Sequence, residues 1–434
     1  MADGWIAQEI ERTVYAIAGL PIAIRGKSIP GSPAAQDIRG AFARRYWRPR
    51  SVREGGELII GLLLAPLAVP LGALWFTMHN GPIIRRREGK GLAAQFVEQL
   101  RLYASAGIVG PWYYILSLHR DGMRRAPSFL QRAETKRGLY SILRDKHGSP
   151  LGQKDAFARR CAAAGVRCVP CEAVISGGDV EPVHLPDCDL FVKPLEGCGG
   201  KGAERWNRVA ARTWSNGKMT LGDSGLIEHV KSKRRTMVVQ KRLRPHAVLQ
   251  RLTSGAVPTV RALTCLDKQG GAELVAAVFR MSMGENRTVD NIHAGGLACA
   301  VSLADGVLGL ASDLGSDASL GWCRDHPTTG ARIEGTLLPY WGEVRALAVT
   351  AHQAFADRVL IGWDIAIQDD GPIIIEGNRG PDMDLMQRFM DVGFYEHQRM
   401  TELIAHHLRA RGHLEWAGGR DRAASVVRVD AQRQ

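Results

Sequence analysis

Hydrophobic and polar positions divide the chain into stretches with different periods. Residues 58–78, LIIGLLLAPLAVPLGALWFTM, carry no charged side chain. A helix of that length can cross a bilayer core of about 30 Å. Pro66 and Pro70 fall in its middle, and each removes a helix hydrogen bond and bends the path. Residues 85–145 change to helical spacing with basic faces, as in KGLAAQFVEQLRLYA. Ser149-Pro150 ends that pattern. Beyond it, DLFVKP, TMVVQKRL, TVRALTCLD and ELVAAVFRMSM have strand composition. LGQKDAFARRCAAAG, LPYWGEVRALAVTAHQAFADRV and MTELIAHHLRARG have helical spacing. The expected organisation is a basic region 1–84 with the apolar segment, a helical region 85–148, an α+β domain 149–412 and a polar tail 413–434. No internal repeat is present.

Charge sharpens this division. Residues 1–150 hold 22 Lys/Arg against 11 Asp/Glu, which is most of the chain's net +13. Arginines flank the apolar segment on both sides: Arg44, Arg45, Arg48, Arg50 and Arg53 before, Arg85, Arg86 and Arg87 with Lys90 after. A spanning helix wants one basic flank. Two basic flanks and two prolines point to a re-entrant dip, with a single span and a buried core helix as the other outcomes. Glu9, Glu11 and Arg12 interrupt any cleavable leader in residues 1–20. The eight cysteines form no framework, which fits a reducing compartment; Cys161, Cys168 and Cys171 read as buried thiols. The basic pI invites a nucleic-acid partner. The charge surrounds an apolar segment, however, and no nucleic-acid motif appears, so none is expected.

The densest chemistry lies in 361–379, IGWDIAIQDDGPIIIEGNR. WDIAIQ and PIIIE flank Asp369-Asp370-Gly371, which suits a three-residue hairpin loop with Gly in the left-handed position. That register sets Gln368 against Pro372 and Asp364 against Glu376, with Asn378 on the same face. Opposed carboxylates repel, and an amide oxygen beside them completes a hard-oxygen set suited to Mg²⁺. A two-residue loop would put the acids on opposite faces.

Lys193 ends an aliphatic strand and precedes Gly197, Gly199, Gly200 and Gly202. Such a loop brings backbone N–H groups close to phosphate while the lysine adds charge. It has neither the Walker nor the dinucleotide glycine spacing.

The order of these pieces resembles the ATP-grasp superfamily, and within it the sugar-transfer-associated ATP-grasp family. The resemblance spans about residues 90–410. LGQKDAFARRCAAAGVRCVP resembles the segment carrying the first nucleotide lysine, here Lys154. FVKPLEGCGGKG is similar to the strand and mobile loop of the second, Lys193. VVQKRLRPH resembles the adenine hinge, centred on Gln240, Lys241, Arg242 and Leu243. GWDIAI and IIIEGN match the metal hairpin. Lys241 stands where many such hinges have an acid, so a ribose contact falls to another group such as Glu228. No arginine stands just before Asp364, so Arg261 and Arg280 on the central strands become the candidates for neutralising the transferred phosphate. Asn291, in DNIHAGG, is the candidate for the acceptor pocket.

The resemblance implies an α+β ATP-grasp fold, two subdomains clasping ATP, preceded by a helical membrane-associating region. It implies ATP with one or two Mg²⁺ ions, and a carboxylate–amine or carboxylate–nucleophile ligase working through an acyl phosphate. The substrates would be small or lipid-linked, and the place the cytoplasmic face of the inner membrane, in polysaccharide or glycoconjugate synthesis. A hydroxyl phosphotransferase and a non-catalytic nucleotide sensor remain as alternatives.

Overall fold

The computed structural model describes residues 2–143, 149–177, 184–197, 202–284, 290, 292–316, 318 and 320–414. The chain groups into two units. One comprises Met1–Arg144, Gly315–Ser319 and Asp382–Gln434; the other comprises Asp145–Leu314 and Leu320–Pro381.

The first unit is helical. Its leading elements are α1 (Ala2–Arg25), α2 (Pro33–Tyr46), α3 (Val52–Glu88), α4 (Leu92–Ala106) and α5 (Gly110–Ile115). Ser32 and Ser51 start α2 and α3, each hydroxyl accepting a first-turn N–H at 3.2 Å. Gly89, at φ 75°, closes α3 in the left-handed conformation. Ala16, Ile22, Phe42, Tyr46 and Leu58 form the core joining α1, α2 and α3. The dip expected at Pro66 and Pro70 does not occur, because α3 runs through Pro66, Pro70 and Pro82 as one helix. Leu62, whose carbonyl loses its donor to Pro66, is itself exposed. Residues from Asp382 onward group with these helices. There the Gln387 amide bonds the Leu130 backbone in both directions, at 2.8 and 2.9 Å.

The second unit holds twelve strands among the described residues. They are β1 (Ala173–Ile175), β2 (Leu190–Pro194), β3 (Glu204–Ala210), β4 (Thr213–Ser215), β5 (Thr220–Gly222), β6 (Met237–Lys241), β7 (Thr259–Leu266), β8 (Ala272–Met281), β9 (Leu297–Val301), β10 (Leu308–Ser312), β11 (Leu360–Gln368) and β12 (Gly371–Asn378). They form two six-stranded sheets, ordered β1-β6-β2-β3-β4-β5 and β10-β9-β8-β7-β11-β12. One face of the second sheet, with Val260, Phe279, Ile361, Trp363 and Ile365, packs into the main apolar core. Phe157 from the helix Lys154–Ala163 and Val344 from the helix Trp341–Ala354 share that core. The opposite face is left for polar residues, as strand alternation requires. Residues 167–172 stitch the sheets together. The Val169 N–H donates to Ile374 on β12 at 2.9 Å, and the Glu172 N–H donates to Val239 on β6 at 2.9 Å.

Candidate active site

The hairpin β11–β12 brings Asp364 opposite Glu376, as the sequence predicts, but by another route. The loop has two residues, Asp369 and Asp370, and Gln368 pairs with Gly371 rather than Pro372. Gly371 takes a φ of 109°, which favours glycine at that corner. A bulge then skips Ile375, between the pairs Ile365–Ile374 and Asp364–Glu376. One extra residue on one strand reverses the facing of all that follows, so loop and bulge together restore the parity of a three-residue loop.

Asp364 also lies opposite Arg261 on β7, and Thr259, two residues earlier, lies opposite Arg280 on β8. These side chains share the polar face and form a chain of contacts. Arg261 Nε donates to Asp364 Oδ1 at 2.5 Å and its Nη2 to Oδ2 at 3.1 Å. Arg280 Nη2 stands 2.9 Å from the same Oδ2. Arg280 also donates to Thr259 Oγ1, from Nε at 3.1 Å and from Nη2 at 2.7 Å. The Thr259 hydroxyl donates in turn to Asp290, whose carboxylate lies 3.3 Å from Arg280 Nε. Neither arginine is surface charge; Arg280 is 8% exposed. Burial would raise the Asp364 pKa, but the two guanidiniums outweigh it and hold the carboxyl far below its usual range. Asp290 moves upward, through burial that Arg280 only partly offsets.

Glu376 contrasts with Asp364. It makes no hydrogen bond or ion pair with the described residues. Burial raises its pKa, Asp364 across the hairpin raises it further, and Lys193 opposes both. The Asn378 side-chain nitrogen is buried without a partner. Turning the amide over places its oxygen there instead, since oxygen and nitrogen are assigned only by their surroundings. A carboxylate has about four acceptor positions, and Asp364 spends three on the arginines, leaving one. An uncommitted carboxylate, an amide oxygen and one remaining acceptor position fit a hard divalent cation.

Lys193 comes from the first sheet, and Lys154 from the helix whose Phe157 packs on the second. Lys193 on β2 is 9% exposed and forms no hydrogen bond or salt bridge with the described residues. Burial lowers its pKa, Glu376 counteracts this, and Lys154 adds to the lowering. Lys154 opens its helix and donates to the carbonyls of Leu195 at 3.0 Å and Gly197 at 3.3 Å, where the glycine loop begins. Gly197 and Gly202 adopt φ of 119° and 79°, conformations that side chains resist. Gly199, Gly200 and Asn291 lie outside the described residues.

At the hinge, Gln240 is buried on β6 and donates from Nε2 to the Val169 carbonyl at 3.3 Å. Lys241 pairs with Glu172 at 3.6 Å. Arg242 reaches Asn207 Oδ1 at 2.6 Å, and its N–H donates to the Asp189 carbonyl at 2.9 Å. Leu243 packs beside Ala366 and Ile373. Glu228 is exposed and pairs with Lys231, so the acids at the hinge are Glu172 and Asp189.

Sequence reasoning passed over three residues. Thr259 and Asp290 hold Arg280; the spacing of Thr259 two residues before Arg261 was the available signal. Arg379, directly after Asn378, lies over Gly152, where an added Cβ would meet its guanidinium at 2.8 Å.

The profile of the family described as sugar-transfer associated ATP-grasp matches residues 136–400. No curated protein matches. Among solved structures, the chain is similar to the MgADP- and bicarbonate-bound biotin carboxylase domain of a Hydrogenobacter thermophilus 2-oxoglutarate carboxylase. The identity is 15%, over 59% of this chain and 45% of that one, with a TM-score of 0.34. For an L-amino acid ligase from Bacillus licheniformis the values are 10%, 59%, 48% and 0.33. For the D-alanine–D-alanine ligase from Bacillus anthracis they are 12%, 63%, 71% and 0.33. The chain thus spans about half the length of the first two. Likenesses this weak carry no argument about substrate. The family match covers well over half of the chain and runs through every strand of both sheets, from the lysine strand to the hairpin. The chain belongs to the sugar-transfer associated ATP-grasp family and is an ATP-grasp enzyme.

Proposed function

We propose that this enzyme is an ATP- and Mg²⁺-dependent ligase that joins a carboxylate to an amine, or to another nucleophile, through an acyl phosphate. We place it at the cytoplasmic face of the inner membrane, acting on a small or lipid-linked substrate of polysaccharide or glycoconjugate synthesis. The observation that carries this reading is a half-buried Glu376 on the polar face of the second sheet and a buried Lys193 on β2 of the first, neither of which makes a hydrogen bond or ion pair with the described residues. Opposite charges left uncommitted in one unit suit a substrate that is itself charged, such as a nucleotide triphosphate.

Lys154 and Lys193 would hold the α- and β-phosphates, with backbone N–H groups of the glycine loop above them. The hinge from Gln240 to Leu243 would receive adenine through its backbone, and Glu172 or Asp189 the ribose. Asp364, Glu376 and Asn378 would hold Mg²⁺, which, when bound, neutralises the phosphate oxygens during transfer. Arg261 and Arg280 are hydrogen-bonded to Asp364, so their charge is already oriented beside the place where negative charge develops. A carboxylate oxygen of the substrate attacks the γ-phosphorus, and the bond to ADP breaks. The nucleophile then attacks the acyl carbon, inorganic phosphate leaves, and the amine proton passes to solvent or base. Asn291 would line the acceptor pocket.

The test is ADP release against a panel of sugar acids and amines, with hydroxylamine as a trap. Hydroxamate formation that Glu376→Gln abolishes supports the ligase. A stable phosphorylated product without hydroxamate would make the enzyme a hydroxyl phosphotransferase.

A further inference from the structure

α3 packs against its neighbours near Gly61 and again from Ala73 onward, while another face stays exposed throughout the apolar segment. On the packed side, Gly61 lies so close to α1 that an added Cβ would stand 2.8 Å from Ala16 Cβ. Further along, Gly81 meets Leu92 of α4 at the same distance. Between them the Gln99 amide of α4 donates to Thr77 Oγ1 at 2.7 Å, and Gln95 donates to the Gly81 carbonyl at 3.1 Å. On the other side, Ile60, Leu63, Leu67, Leu71, Leu74 and Met78 recur every three or four residues and are 48–75% exposed. They form one aliphatic stripe about 27 Å long. Exposed arginines stand at both ends, Arg48 and Arg53 before it, Arg85 and Arg86 after it.

We propose that α3 lies in the plane of the membrane, with this stripe sunk into one leaflet and its arginine ends on anionic headgroups, rather than crossing the bilayer. The inference rests on the membrane association proposed above and decides its form. Three observations favour it over a span. A crossing helix would carry its packed neighbours into hydrocarbon, and α4 brings Gln95, Glu98, Gln99 and Arg101 with it. Pro66 and Pro70 leave the carbonyls of Leu62 and Pro66 without intrahelical donors. At the centre of a bilayer those carbonyls would be stranded; at headgroup depth water reaches them. Basic charge at both ends suits a helix whose two ends face the same anionic surface. The same charges disfavour a second copy of the chain as the occupant, because either orientation would set arginines against arginines.

The experiment uses the full chain with an epitope tag at each terminus. It is mixed with sealed vesicles of phosphatidylcholine alone or with about one third phosphatidylglycerol, sedimented, and treated with proteinase K. Binding to the anionic vesicles with both tags removed is the expected result. Leu63→Glu and Leu67→Glu, each at a strongly exposed position, should each weaken binding by roughly tenfold or more at unchanged melting temperature. Binding with one tag protected would overturn the in-plane arrangement and leave the membrane reading standing. Failure to bind either vesicle would overturn both. If Leu67→Glu converts a dimer to a monomer and leaves vesicle binding intact, the stripe is a protein interface and the proposal fails.

Discussion

Both units bury charge, and they do so in opposite ways. In the helical unit Arg39 is 2% exposed, donates to the Pro30 carbonyl at 3.0 Å, lies 4.0 Å over the Tyr395 ring and 3.9 Å from Glu134. Glu134 in turn accepts from the Gln131 N–H and the Tyr395 hydroxyl, both at 2.8 Å. Both of these charges are met by specific partners, although burial raises the Glu134 pKa as well. In the sheet unit Glu376 and Lys193 make no hydrogen bond or ion pair with the described residues, and burial shifts the pKa of both towards their neutral forms. Groups of like charge also sit beside one another: Asp364 by Glu376, and Lys154 by Lys193. Structural charge is paired off within the fold; charge held ready for a ligand is left over at a cost in stability.

That contrast breaks most readily by mutation. Glu376→Gln should lower turnover by on the order of a thousandfold, with a melting temperature equal to or above that of the parent, because an unpaired carboxylate is removed. Lys193→Met should abolish ATP binding in calorimetry and raise the melting temperature of the free protein. A lower melting temperature in either variant would show that the two groups are structural partners after all. Glu134→Ala should do the reverse. It strands Arg39 and should cost about 3–5 kcal/mol in denaturant unfolding, while the folded fraction keeps its kcat. A smaller effect sharpens the arginine chain. Thr259→Val keeps the strand and removes the hydroxyl that joins Asp290 to Arg280. We expect kcat to fall roughly tenfold with nucleotide affinity unchanged, measured as separate kcat and KM effects.

How legible this was depended on how local the cause is. The hairpin acids were visible because alternation in β11 and β12 is a local property, and the parity of their facing came out right. The loop did not. A two-residue loop followed by a bulge at Ile375 gives the same parity as a three-residue loop, so no pattern of acids and aliphatics distinguishes them. Arg261 and Arg280 were legible as strand arginines. Their seat on Asp364 depends on β7 pairing with β11, about a hundred residues away, and nothing in the local sequence specifies it. The prolines of α3 misled for a related reason. Proline signals a lost hydrogen bond, but a lost hydrogen bond need not end a helix, and α3 continues through all three of its prolines.

The finest test of the contrast is pH, because stability and ligand binding should respond in opposite directions. Lys193 has a pKa lowered by burial in the free enzyme. Between that lowered value and the ordinary lysine value of 10.5, the unfolded chain holds a proton that the folded chain has released. Stability contributed by this site therefore rises with pH through that window. With Lys193 holding phosphate as proposed, ATP affinity is expected to fall through the same window, and earlier than an ordinary lysine would allow. Glu376 mirrors this. Its pKa is raised, so between the ordinary value of 4.5 and the raised one the folded chain holds the extra proton. There stability rises as pH falls, while Mg²⁺ binding, which needs the carboxylate, is lost. Melting curves with and without MgATP across pH, each referred to Lys193→Met or Glu376→Gln, isolate the two groups. Opposite slopes for free-protein stability and for the ligand-induced shift are expected at both ends. Parallel slopes at either end would mean that ligand binding does not need the charged form of that group, and would remove it from the site.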